Sequence, residues 1–471
     1  MFKQLILAIR FKSFARLKNN ATCLMGLLIP FALVGCATFS QDGGFGAVEK
    51  TAQGYIKQKP VWAITEAQSI ANQQQLTTLL EKPLSIEDAV QVALLNNAQL
   101  QADFYQLQIA EADMVQAGRL PNPLFSMLFA RNNGDYKIEQ VITMNVLALF
   151  TMPKATEIEK KRFAATQNTV TLRVLELAHQ TRNAYINALA ATESVNYLEQ
   201  VKQTAEATAE LAKRMNQSGN WSALDQAREQ SFYADAAVDL ARAENQCVQM
   251  DENLTQLLGL KNRSDFKLPE RLPDLPKSSE SLKQVSAEDF SNRLDLQQTK
   301  QNTEALAQLL GLTKATRFVN VLELGPARML EGRRGDPYKK GFSIGFELPI
   351  FDWGTARVKR AEATYMQAVN MAKAKAITAA SEVRGSYNQY LTSFELAKQY
   401  RDEIVPLRKR ILQENQLRYN GMLIGPFELL ADARAQVLSV NSYLGALRDF
   451  WLAESNLDMS LIGKPLNAGE F

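Results

Sequence analysis

The chain has 471 residues, 53 Lys+Arg against 50 Asp+Glu, and a formal net charge of +3. That near-balance gives no footprint of a nucleic-acid binder, and 22% charged with 46% hydrophobic residues excludes both a disordered chain and a bundle of membrane helices. One His and three Cys leave few ligands for a metal centre and rule out a disulfide framework.

Residues 1–18 carry Lys3, Arg10, Lys12, Arg16 and Lys18, and no acid precedes Asp42. An apolar stretch from Ala21 to Val34 ends in Leu33-Val34-Gly35-Cys36. A basic start, a short apolar run and small residues at the cut describe a secretory signal. The Cys directly after Gly35 resembles the bacterial lipoprotein signal, which implies removal of residues 1–35 and lipidation of Cys36. Removal takes five basic residues and no acid, so the mature charge is −2. Ala37 follows the Cys where an Asp would retain a lipoprotein in the inner membrane, and this points to the outer membrane. No apolar run of 18 residues follows, so a mature chain that crosses a bilayer must do so as a closed β-barrel. Cys247 reads as a small buried residue on a predicted helix rather than a reactive one.

The remainder reads as two copies of one pattern, offset by about 200 residues. The first covers 84–260 and the second 285–463, after a lipidated segment at 36–83, with a Pro-rich linker at 261–284 and a tail at 464–471. Each opens on a capping box, Ser85-Ile86-Glu87-Asp88 and Ser286-Ala287-Glu288-Asp289. Asn97 to Leu100 and Arg293 to Leu296 follow, then β-formers, a long helix, a Gly break and a second helix. The copies close on Leu258-Gly259-Leu260 and Leu461-Ile462-Gly463.

Between Pro153 and Gly219 there is neither Gly nor Pro. Val170, Val174, Leu177, Thr181, Ala184, Ala188, Ala191, Val195 and Leu198 alternate in steps of four and three, the coiled-coil seam. Thr355 to Asn420 repeats the pattern through Ala376, Ala380, Val383, Tyr387, Tyr390, Phe394, Ala397, Arg401 and Ile404, with interruptions expected at Gly385 and Pro406 and a kink at the latter. A helix of about 65 residues spans roughly 100 Å and needs helical neighbours throughout. The neighbours are expected at 85–118, 222–258, 286–315 and 427–461. The subunit is therefore read as elongated, with no complete core of its own.

Phe342 to Ile350 alternates apolar and small or polar residues at the length of a membrane strand. Its expected partner is Arg317 to Leu324, across the basic turn Gly332 to Pro337. In copy one, Asn122 to Arg131 pairs with Ile138 to Leu149 across Asn132-Asn133-Gly134-Asp135. The hairpins are thus expected at about 122–149 and 317–350. Four strands cannot close a barrel, and open edges cannot sit in lipid. The chain must oligomerise, and three subunits would supply twelve strands.

These residues resemble the TolC-like outer membrane efflux proteins, in their lipidated subset. The carriers are the paired openings at Asn97 and Arg293, Ala117 to Pro123 entering the first hairpin, Leu348 to Gly354 leaving the second, and the helix breaks at Gly219 to Arg228 and Arg418 to Arg434. Ala98 and Leu294 stand where the family usually has Pro, and Thr151-Met152-Pro153 stands where a Gly is often seen. The resemblance implies a mainly α fold with a β-barrel part. Long antiparallel coiled-coil helices form an α-barrel, and four strands per subunit build a twelve-stranded barrel in a homotrimer. It implies a passive exit duct for small toxic compounds, docked onto a periplasmic adaptor and an inner-membrane pump. Two alternatives stay open: a duct for type I protein secretion, and a non-pore coiled-coil lipoprotein. No catalytic constellation appears, and no cofactor is expected beyond the covalent lipid on Cys36.

The breaks at Gly219 and Gly421 should form the periplasmic tip. Asp225 and Glu229, and Glu428 and Asp432, each lie four residues apart on one helical face, where a ring of carboxylates would favour cations. The resemblance implies that acids with a Tyr and an Arg hold the closed state, at Asp225, Arg418, Tyr419, Glu428 and Asp432. Solvated helix-end charge is the plain alternative. His179, far from any Cys, His or acid cluster, reads as a packing or surface residue.

Overall fold

The computed structural model describes residues 38–277, 282–284, 292–319 and 321–464. The leader, Cys36, the capping box at Ser286 and most of the tail lie outside the described residues.

The N-terminal segment forms α1 (Phe45–Gln53) and α2 (Glu66–Leu80). Copy one continues as α3 (Ile86–Asn96), α4 (Ala98–Ala117), β1 (Leu124–Asn132), β2 (Asp135–Asn145), α5 (Leu147–Gln217) and α6 (Ala223–Leu257). Copy two has α7 (Leu294–Ala315), β3 (Leu322–Gly332), β4 (Lys339–Phe346), α8 (Thr355–Gln399), α9 (Val405–Asn420) and α10 (Pro426–Ile462). Ser85 closes its capping box with Asp88 as expected: the Asp88 amide donates to Ser85 Oγ at 3.1 Å. Ala98 and Leu294 are the first residues of α4 and α7, the position where Pro is favoured because its missing N–H goes unused. Both helices start there without it.

The seam holds in copy one: Val170, Val174, Thr181, Ala184 and Ala188 are all buried along α5. This helix runs unbroken for 71 residues, about 105 Å at 1.5 Å per residue, and carries Pro153 in its second turn. In copy two the seam is partial. Val383, Tyr390, Phe394 and Ala397 are buried, but Ala376 is exposed and Ala379 takes the inward position. The expected interruption at Pro406 is a π-helical turn at Tyr400–Ile404, with Pro406 near the start of α9. Gly385 leaves α8 unbroken.

A single large apolar core gathers around the middle of α5, where α1, α3, α4 and the inner ends of α6, α8 and α10 converge. This corrects the expectation that the subunit lacks a complete core. Short helices meeting end to end opposite the long ones bring these seven helices to a single level, enough to bury Phe104, Leu189, Phe394 and Phe450 completely. Beyond that level the coil narrows to small seam residues, Val201, Ala205, Ala209 and Ala212.

The strands form one antiparallel sheet in the order β1-β2-β3-β4. Its central pairing, β2 with β3, fuses the two copies. The register corrects the expected boundaries. β2 ends at Asn145, because Leu147 already begins α5. β3 lies at 322–332 and β4 at 339–346, displaced toward the turn from 317–324 and 342–350. Pro349 has no N–H for a ladder, so Leu348 and Ile350 alternate without pairing.

Each copy ties its last helix back to its own middle. In copy one the Asn97 amide donates to Leu257 O at 3.0 Å, and Asn96 donates to Gly259 O at 2.7 Å. In copy two the equivalent residue is Arg293, fully buried, which donates to Ser460 O at 2.8 Å. Its guanidinium also grips the buried Asp295 through two bonds of 3.0 and 2.7 Å and reaches Glu382 at 2.9 Å. Removing one member of such a cluster strands a buried charge. We expect Arg293→Ala to cost about 3–5 kcal/mol, and the pair Arg293→Met with Asp295→Leu to cost less than the single change, as read from unfolding midpoints of the purified protein.

Candidate functional site: the membrane sheet and the helical tip

Side chains alternate across the sheet, so register sorts them into two faces. On one face Phe125 stands opposite Ile142, Phe129 opposite Ile138, and Pro326 opposite Phe342. Leu322, Leu324, Ile344 and Phe346 extend this apolar face toward the helices. On the other face Ser126 meets Val141, Glu323 meets Gly345, and Ala327 meets Gly341. Thr143 there donates to the Glu323 carboxylate at 3.3 Å, and Lys339 lies 3.6 Å from Glu331. The second face also carries Leu124, Leu128 and Met329, but the aromatic groups stand on the first and the small and charged ones mostly on the second, the bias of a barrel wall with lipid on one side and water on the other. Phe342 is 88% exposed, an exposure a protein facing only water would avoid. β1 and β4 are the outer strands of this sheet, and each offers an unpaired edge.

Below the strands, Phe318 and Trp353 pack edge to face, and Arg317 lies 4.2 Å over the Phe318 ring. Phe150, Ile350 and Phe351 are exposed at this level. Such a girdle is typical of a membrane–water boundary. The N-terminal segment reaches the same level: Phe39 sits beneath the Arg119 guanidinium, at the entry to β1, and the Ser40 amide donates to Glu111 at 2.7 Å.

At the opposite ends of the long helices are the two breaks. The α5–α6 turn closes with Gly219 left-handed at φ +75°, the Gly219 amide on Asn216 O and the Asn220 amide on Met215 O. The α9–α10 turn makes the same pair of bonds, from Met422 to Tyr419 O and from Leu423 to Arg418 O. Its left-handed residue is Met422, at φ +60° and 93% exposed, so the expected role of Gly421 falls to a residue with a Cβ.

The predicted gate residues divide. Asp225 answers the N-cap of α6, Ser222: its amide donates to Ser222 Oγ, its carboxylate accepts from that hydroxyl at 2.6 Å and lies 3.5 Å from Arg228, which stacks over Phe427 at 4.7 Å. Asp432 accepts a short bond from Asn415, tying α10 to α9. Glu428 is exposed in the first turn of α10. Among the described residues, neither Glu428 nor the side chains of Arg418 and Tyr419 meet an ion-pair or hydrogen-bond partner within the subunit. Glu229 does not share the tip surface with Asp225. It is 1% exposed and ion-paired to Arg434 at 2.7 Å, with Arg434 also lying 4.3 Å over Phe232. This lock between α6 and α10 escaped the sequence reading. Its signal in the sequence was no more than a carboxylate 10 residues past one break and a guanidinium 13 past the other.

His179 packs rather than ligates: its Nδ1 lies 3.0 Å from Ser455 Oγ and its Nε2 3.2 Å from Asn183. Burial, helped by the charges of Arg182 and Lys464, pushes it down from 6.5 to about 4.

No protein-family model matches the chain. The antibiotic efflux pump outer membrane protein ArpC of Pseudomonas putida is 23% identical over 365 residues, covering 73% of this chain and 75% of that protein. Among solved structures, CusC superposes with a TM-score of 0.67 at 17% identity, over 80% of this chain and 92% of that one. VceC of Vibrio cholerae gives 0.67 at 15% identity, over 85% of this chain and all of that one. The chain has the fold of an outer membrane channel built from an α-barrel and a β-barrel. That fold agrees with the TolC-like family its duplicated sequence resembles.

Two outcomes are expected here. Met422→Gly relieves a left-handed Cβ and should stabilise the tip by about 1 kcal/mol, read as slower hydrogen exchange at the α9–α10 turn. His179 is neutral at pH 7, whereas the unfolded side chain takes up its proton below about pH 6.5. Its contribution is therefore complete above pH 6.5 and is lost as pH falls toward 4. The thermal midpoint should drop over that window, and His179→Gln should flatten the drop.

Proposed function

We propose that this chain is the subunit of a homotrimeric outer-membrane duct, the passive exit of a tripartite efflux pump for small toxic compounds. The observation that carries the reading is the sheet: four strands in simple order, two open edges, one face bearing the aromatic groups and one mostly small or charged. Edges without partners cannot rest in hydrocarbon, where each orphaned N–H or C=O costs several kcal/mol. Joining β4 of one subunit to β1 of the next removes them, and three copies give twelve strands. The helices then continue the wall as a tunnel, ending at the tip. ArpC, a relative over three-quarters of its length, is named for antibiotic efflux, which supports export of small molecules through a periplasmic adaptor and an energised inner-membrane pump.

Lipidation of Cys36 belongs to the same reading. Cys36 precedes Phe39 by three residues, at most about 11 Å of chain, and Phe39 lies at the entry to β1. An acyl chain on Cys36 would thus reach the inner surface of the outer membrane. A non-pore lipoprotein has no use for the sheet, and a type I secretion duct differs from an efflux duct in its inner-membrane partner rather than in this subunit.

At the tip, Glu428 and Asp432 from three subunits would ring the aperture. Threefold repetition also gives Arg418 and Tyr419 a place to find partners, across the interface with the next subunit. In planar bilayers we expect Glu428→Ala with Asp432→Ala to raise single-channel conductance and at least halve the cation preference. Unchanged values would remove these residues from the gate. The duct reading itself is tested by fractionation and trimer detection without SDS, alongside drug and metal sensitivity of a deletion strain. A monomer that is soluble once the lipid is removed would overturn it.

A further inference from the structure

We propose that the outer rim of the sheet binds a phosphate-bearing glycolipid of the outer leaflet, of the lipid A class. The proposal rests on the reading of the sheet as a barrel wall. Its starting point is a break in the apolar face. Midway up β3 the alternation places Arg328 outward, opposite Gln140 on one side and Lys340 on the other. Both cations are exposed, whereas Lys339, one residue away, belongs to the opposite face and approaches Glu331.

An outward charge is tolerated in a barrel only near the headgroups. At the bilayer midplane it would cost about 2–4 kcal/mol, falling toward zero at the interface. Six residues of strand separate Lys340 from Phe346, roughly 20 Å at 3.4 Å per residue. The apolar surface continues below Phe346 to the Phe318–Trp353 girdle. The apolar row of Phe129, Ile138 and Leu330 lies beyond it on this face, so the cationic row stands near the end of the apolar band away from the helices, on the outer-leaflet side. Arg131 and the turn residues Arg333 and Arg334 add further positive charge there, and the Asp336 carboxylate of that turn is taken up by the Arg333 amide at 2.8 Å.

The rim also has shape. A groove of about 560 Å³ lies on the outward face, with Phe125 and Phe342 as its aromatic walls, Ile142 and Pro326 between them, and Arg328 and Lys340 at its upper end. It exists because the ladder lapses at this point. β2 and β3 pair continuously from Tyr136 to Val141 and resume at Met144, leaving Ile142 and Thr143 opposite Pro326 and Gly325 without register partners. Gly325 passes so close to Ile142 O that a Cβ there would clash, and Pro326 contributes no N–H. An apolar trough ending in two cations matches an acyl chain attached to a phosphorylated sugar. Arg328 is held in place for this: its Nε donates to Gln140 at 2.5 Å, and its guanidinium lies 5.1 Å over Tyr338.

The lipidated full-length protein, purified from outer membranes in mild detergent, is titrated with bis-phosphorylated lipid A and read by native mass spectrometry. Discrete adducts, up to three per trimer, are expected. Arg328→Gln with Lys340→Gln should weaken binding at least tenfold, and Lys339→Gln should leave it unchanged. Should the double variant not assemble, Lys340→Gln alone is expected to weaken binding threefold. Phosphatidylcholine should bind tenfold more weakly than lipid A, and inorganic phosphate should not displace it. Equal binding of phosphatidylcholine, displacement by phosphate alone, or equal weakening by Lys339→Gln would overturn the proposal. Absence of the protein from outer-membrane fractions would overturn the duct reading instead. A membrane trimer indifferent to lipid A would overturn only the glycolipid site.

Discussion

Backbone hydrogen bonding in lipid is the constraint from which the rest of this subunit follows. A four-stranded meander with two open edges is an incomplete object, and its apolar face has no protein to cover it. The chain places each hairpin so that every strand is continued by a helix: α4 leads into β1, β2 into α5, α7 into β3 and β4 into α8. Strands stand about 4.8 Å apart, whereas packed helices stand 8–10 Å apart. A wall that changes from one to the other must widen, and the widening needs irregular backbone. The chain supplies it at Arg119 to Pro123 and at Glu347 to Gly354, where Pro residues forbid ladder pairing. Gly354, left-handed at φ +72°, passes so near Arg317 O that no Cβ would fit.

The two copies meet the same mechanical demand with different chemistry. Each must anchor the end of its last helix beside the start of its strand-bearing helix. Copy one does this with neutral amides, Asn96 and Asn97, and a left-handed Gly259 pressed against Asn96 O. Copy two uses Arg293, Asp295 and Glu382, with Lys375 3.5 Å from Asp295 and a left-handed Gly463 pressed against the Asp295 carboxylate. A buried ion cluster gains little net stability over a neutral one, since desolvation offsets most of the attraction. Its effect is steep geometric selectivity: only one arrangement of α7, α8 and α10 satisfies every member.

What could be read from the sequence was what depends on local periodicity. The copy-one seam, the capping box at Ser85 and the number of strands all rest on spacing within one segment, and the structure places them as the spacing requires. What depends on a distant partner was not legible. Phe342 to Ile350 alternates without a fault, but Pro349 and the position of Leu322 decide where β3 and β4 meet. Ala376 follows the seam period yet faces outward, because Ala379 takes the inward position against the rest of the subunit. Glu229 and Arg434 are 205 residues apart, and nothing near either one announces the other. Of the tip residues named from spacing, Asp225 and Asp432 proved to be tied within the subunit, and the one acid found buried was Glu229.

The asymmetry between the long helices follows from connectivity. A duplicated chain has two similar halves but only one linker between them, and the two halves hold it differently. The linker runs across copy two: Leu272 and Leu275 are buried, and Trp451 Nε1 donates to Pro273 O at 3.0 Å. Arg401 donates to the carbonyls of Leu275 and Pro276 at 3.2 and 3.1 Å, and its guanidinium is held by Asp402. Arg401 lies within the π turn at Tyr400–Ile404, and Pro406 follows at once. A π turn rotates the residues beyond it relative to those before, and a Pro just past it gives up an amide the wide turn has already left unused. The bend in copy two therefore sits where the linker grips it. The linker meets copy one through the Leu272 amide, which donates to Glu193 of α5 at 3.1 Å, and α5 runs on through all 71 residues without a break.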